Sequence, residues 1–100
     1  MGTLCIATKL PNYSRGYVFG SVLTSSDPQD FDLLIVYDET QCAPAEAFAK
    51  HATLVQEIKT ALNLPVHLTL LTKSEANSMD MIERTNAVPL CDALKMLSLR

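Results

Sequence analysis

A chain of 100 residues with 48% hydrophobic and 19% charged residues is a single globular domain, with one core and little room for further modules. Its net charge of −3 excludes a general nucleic-acid binder, which needs a concentrated basic face. No segment approaches the length of a membrane span, and Cys5, Cys42 and Cys91 lack the spacing of a disulfide framework or zinc site. The three cysteines read as small buried hydrophobes in a reducing, cytoplasmic setting.

The first residues lack a signal peptide's charged region and long apolar core, and Ile6 stands where a myristoylation motif wants Ser or Thr. Residues 3–9 fit a short strand or a helical turn equally well. Residues 11–16 read as a polar loop, and 17–19 as a short strand ending at Gly20. Ser25-Ser26-Asp27-Pro28-Gln29 has turn chemistry, with Asp27 as a turn former. Residues 30–37 form a second strand whose continuous apolar run predicts a central, covered position. The ten or so residues between these strands allow either parallel or antiparallel pairing.

Pro44 suits a first helical turn, and Phe48, Ala52, Val55, Ile58 and Leu62 then recur at helical spacing. Glu46, Lys50, Glu57 and Lys59 lie on the other side, where His51 reads as a solvated surface residue. Asn63 and Pro65 end this helix. Residues 66–70 alternate as a strand, with Val66, Leu68 and Leu70 toward the core and His67 and Thr69 on the opposite face. Thr72 and Glu75 have capping-box spacing and predict a helix through about residue 83. Residues 88–97 read as a turn and a final helix. The helical crossover between the second and third strands favours parallel pairing. The expected fold is therefore α/β of the α+β kind: a small mixed sheet with helices packed on one face.

The chemistry concentrates in residues 17–38, YVFGSVLTSSDPQDFDLLIVYD. Eight residues separate Ser21 from Asp30, and Asp30 and Asp32 share a strand face. Two carboxylates side by side repel unless a cation, donor or proton lies between them. A hard divalent ion with oxygen ligands resolves this, and Mg²⁺ typically takes one or two carboxylates plus substrate phosphates. Gly20 and Ser21 could offer backbone N–H groups and a hydroxyl to those phosphates. Asp38 and Glu39, at the far end of the strand, lie more than about 20 Å away and belong elsewhere.

Gly20-Ser21, a short linker, Asp30-x-Asp32 and an apolar strand together resemble the signature of the DNA polymerase β-like nucleotidyltransferase superfamily, most closely its minimal nucleotidyltransferase branch. The resemblance implies that Gly20 and Ser21 bind nucleotide phosphates while Asp30 and Asp32 bind Mg²⁺ or Mn²⁺. It also implies transfer of a nucleoside monophosphate from a nucleoside triphosphate to an acceptor. In that branch the acceptor can be a small helical toxin, for which the domain is the antitoxin. The family's third carboxylate is expected on the 66–70 strand, where this chain carries His67. A neutral imidazole can accept a proton from an acceptor hydroxyl but is a poor Mg²⁺ ligand. Two readings follow: a transferase assisted by His67, or a degenerate module that binds nucleotide or a partner without transfer. Arg15, Lys73 and Arg84 are cations available to a triphosphate, with nothing in the sequence to choose among them.

Overall fold

Alternating burial along Ser14–Phe19 makes the first strand, β1. Ser14, Gly16 and Val18 point into one core, and Tyr17 and Phe19 face the other side. β1 therefore begins earlier than residue 17, inside the expected loop. The computed structural model describes residues 9–25 and 27–98. Both readings of residues 3–9 fall almost wholly outside that range, as does Cys5.

Gly20 ends β1 with φ 86°, a left-handed backbone that favours glycine. The chain turns there into a single 3₁₀ turn, Ser21–Leu23, whose Val22 drops into the core. The second strand, β2, spans Phe31–Tyr37 and pairs antiparallel with β1. Its apolar run reflects burial on both faces. Phe31, Leu33 and Ile35 contribute to the main core, while Leu34 and Val36 belong to a second cluster on the opposite face.

The long helix α1, Pro44–Leu62, carries proline in its first turn and stops at Asn63. Asn63 adopts a left-handed conformation, and its N–H donates to the Lys59 carbonyl. The buried stripe runs through Ala47, His51, Leu54 and Ile58, rotated from the expected one. Phe48 lies outside it and is 66% exposed. His51, expected at the surface, is only 1% exposed. Its Nδ1 lies 2.7 Å from the Ala47 carbonyl oxygen, so it carries the proton and donates. Nε2 is then free to accept from the Ser14 hydroxyl at 2.8 Å. Both ring nitrogens are satisfied, which removes the cost of burying them.

The third strand, β3 (Val66–Thr72), runs parallel to β2 after the α1 crossover, as the connection implies. The Thr72–Glu75 capping box forms in both directions and starts α2, Lys73–Met79. The helix expected to continue to residue 83 is broken at Asp80, which takes a left-handed conformation that a short polar side chain tolerates. A separate short helix, α3 (Met81–Thr85), follows. The break lets Met81 and Ile82 pack with Ala76 against Leu34 and Val36.

Val88–Pro89 forms a short strand, β4, beside β1, an edge position that accepts proline. The last helix, α4 (Leu90–Ser98), buries Leu90 and Ala93 in the main core. The sheet order is β3-β2-β1-β4, a mixed four-stranded sheet of the expected α+β kind, but with helices on both faces rather than one, because β2 is apolar on both sides. Leu54 and Ile58 of α1 and Ala93 of α4 meet the main core, and the two short helices cover part of the other face. Cys42 is buried as expected, whereas Cys91 is exposed, because the α4 stripe that enters the core passes through its neighbours.

Candidate metal centre

Strand pairing brings the chemically informative residues to one end of the sheet. Asp32 lies opposite Phe19 of β1 and opposite His67 of β3. Opposed residues in paired strands share a face, so Asp32, Phe19 and His67 project together on the side away from α1. Asp30, just before β2, reaches the same place. His67 Nδ1 lies 3.6 Å from Asp30 Oδ2 and 3.6 Å from Asp32 Oδ1. These distances are too long for hydrogen bonds. The donor atoms of Asp30, Asp32 and His67 all lie within 4.8 Å of one another, forming a group that could hold a metal ion.

Gly20 closes one wall of this group. A Cβ at position 20 would collide with the Asp32 carboxylate, so any other residue there forces the carboxylate or the turn to move. The turn behind it is held by Leu23 N–H donating to the Gly20 carbonyl and Thr24 N–H donating to the Ser21 carbonyl. Ser21 is exposed at the start of this turn.

The electrostatics follow from the partial burial of Asp32, whose side chain is 23% exposed. Desolvation raises its pKa above the ordinary aspartate value, the Asp30 charge adds to the rise, and His67 opposes it. The carboxylate pair is thus an environment in which added positive charge is favourable.

Other charged residues are placed elsewhere. Arg15 stands opposite Val36, near the other end of the β1–β2 pair. Lys73 follows β3 and lies 3.7 Å from Asp38, also at that far end. Asp38 accepts from both the backbone and the hydroxyl of Thr40, which lowers its pKa. Glu75 is engaged in its capping box. Phe19 is the neighbour that sequence reasoning did not single out. Its proximity to Asp32 depends on the antiparallel register, which the sequence left open.

Among the described residues, no helix is long and apolar enough to cross a membrane. No protein-family model, curated protein or solved structure matches the chain.

Proposed function

We propose that this chain binds a metal-bound nucleoside triphosphate at the Asp30–Asp32–His67 end of the sheet and transfers its nucleoside monophosphate to an acceptor. The observation that carries this reading is the convergence of two carboxylates and an imidazole beside the Gly20-Ser21 turn. An ion held by Asp30 and Asp32 would neutralise phosphate charge and orient the triphosphate. The residues fit such an ion, because the pair offers oxygen donors whose mutual repulsion a cation relieves. Gly20 allows close approach of the chain, and Ser21 presents an exposed hydroxyl toward solvent-borne phosphates. In the transfer, an acceptor oxygen forms a bond to the α-phosphorus and the α–β bridging bond breaks. Pyrophosphate then leaves and the acceptor proton passes to solvent. The protein's part is chiefly positioning and charge stabilisation. The acceptor implied by the resemblance is a small helical partner protein, in a toxin–antitoxin pair. Free Cys42 and Cys91 suit a cytoplasmic setting.

A second reading is favoured by one specific feature: the metal-binding group contains two carboxylates rather than three. The chain would then bind nucleotide, or a partner, without transfer. Incubation with each labelled nucleoside triphosphate, Mg²⁺ or Mn²⁺ and a host lysate separates the two. Pyrophosphate release with label transfer, lost in Asp30→Asn and Asp32→Asn, supports the transferase. Saturable nucleotide binding without release supports the binding module, and no metal-dependent nucleotide binding at millimolar concentration sinks both nucleotide readings.

A further inference from the structure

We infer that His67 is the third protein ligand of this centre, through Nδ1, and that it makes the centre selective for a borderline divalent ion of the zinc class over Mg²⁺. The inference deepens the nucleotide reading and takes from it only the location of the site.

Three observations carry it. First, Asp32 and His67 are paired residues of two parallel strands held in register, and Asp30 lies one residue before the first of these strands. Second, Nδ1 is the nitrogen that faces the carboxylates, and it is equidistant from one oxygen of each. At 3.6 Å it is hydrogen-bonded to neither. Third, these separations match the edge of a coordination polyhedron. Donors about 2.1 Å from a zinc-class ion are about 3.4 Å apart in a tetrahedron, and about 3.0 Å apart at the adjacent corners of an octahedron. At 3.6 Å from one oxygen of each carboxylate, Nδ1 is close enough for one ion to reach it and both carboxylates.

Donor chemistry points the same way. Mg²⁺ demands near-ideal octahedral geometry and oxygen donors, whereas imidazole suits zinc-class ions. Two carboxylates and one neutral imidazole give three protein ligands, leaving a fourth position for water or a phosphate oxygen. His67 is 63% exposed, so the group is reached from solvent. Ligation commits the Nδ1 lone pair, and His67 then positions the ion instead of accepting a proton.

The test is calorimetric titration of the metal-free protein with zinc chloride and, separately, magnesium chloride, with no nucleotide present. The same titrations are made on His67→Ala, His67→Asp and Asp32→Asn. His67 is exposed, and circular dichroism checks that each variant folds. The expected result is one zinc site in the wild type, at least roughly tenfold tighter than magnesium. His67→Ala should weaken zinc by roughly tenfold or more, with magnesium affinity within about twofold. His67→Asp should shift preference toward magnesium, and Asp32→Asn should weaken both ions. Cobalt substitution should give the intense visible bands of a tetrahedral site in the wild type and not in His67→Ala. Equal zinc affinity in wild type and His67→Ala overturns the inference, as does a wild type with no preference for zinc. Zinc retained in every variant places the ion outside the Asp30–Asp32–His67 group, which also overturns it. A separate titration with MgATP keeps the nucleotide reading distinguishable. Zinc binding without any nucleotide binding sinks only that reading, and MgATP binding together with a zinc affinity unchanged in His67→Ala sinks only this inference.

Discussion

The Asp32 carboxylate occupies the space in which a side chain at position 20 would stand, so Gly20 and Asp32 are fitted to each other across the β1–β2 pair. Gly20→Ala meets two penalties, a left-handed φ of 86° and a direct collision. The expected loss is about 2 kcal/mol or more, read from urea unfolding. Metal affinity should fall with it, because the carboxylate must move. A variant as stable as the wild type, with its metal binding intact, would show that the turn adjusts freely.

Asp32 has a raised pKa, caused first by burial and then by the Asp30 charge. For an acid whose folded pKa lies above its unfolded value, the stability contribution is present at low pH and lost as pH rises through the folded value. Metal-free Asp32→Asn should therefore melt at a higher temperature than the wild type at pH 7. The gap should close as pH falls through the raised folded value and be gone below about 3.9, the ordinary aspartate value. Zinc or magnesium should raise the wild-type melting temperature and have less effect on the variant.

Asp38 behaves in the opposite sense. Hydrogen bonds from Thr40 lower its pKa, so its contribution is complete above about 3.9 and is lost as pH falls through the lowered folded value. Thr40→Ala should bring the Asp38 titration, followed by NMR, back up toward the ordinary value. An unchanged titration would assign the lowering to the groups this variant keeps, the position-40 backbone N–H first, then Gln41 and Lys73.

The buried Ser14–His51 pair joins β1 to α1. Ser14→Ala should cost about 1 kcal/mol, leaving one imidazole nitrogen without its donor. His51→Ala should cost more, about 2–4 kcal/mol, because it also opens a cavity. Chemical denaturation of both single variants and the double variant gives the coupling energy. On the same helix, Phe48→Ser should change stability by less than about 0.5 kcal/mol, since Phe48 is mostly exposed.

The Thr72–Glu75 capping box satisfies two backbone donors at the start of α2. Thr72→Ala should cost about 1 kcal/mol by thermal or urea unfolding. Thr72→Ser keeps the accepting oxygen and should lose much less.

The amino-acid sequence by itself determined whatever depends on neighbours within about one helical turn. Pro44 and Asn63 set the limits of α1, and Thr72 with Glu75 starts α2, because caps act on backbone groups a few residues away. The central position of β2 and the shared face of Asp30 and Asp32 were legible from the apolar run and from strand alternation. The tertiary structure decided what depends on distant partners. His51 is buried because Ser14, 37 residues away, accommodates its second nitrogen, and no local pattern carries that fact. That contact turns α1 so that Ala47 rather than Phe48 faces the core. The antiparallel register places Phe19 and Gly20 against Asp32, and the parallel register sets His67 beside it. Spacing in the chain named the two carboxylates, but the distance from each to the imidazole is a property of paired strands, which exist only once the sheet has formed.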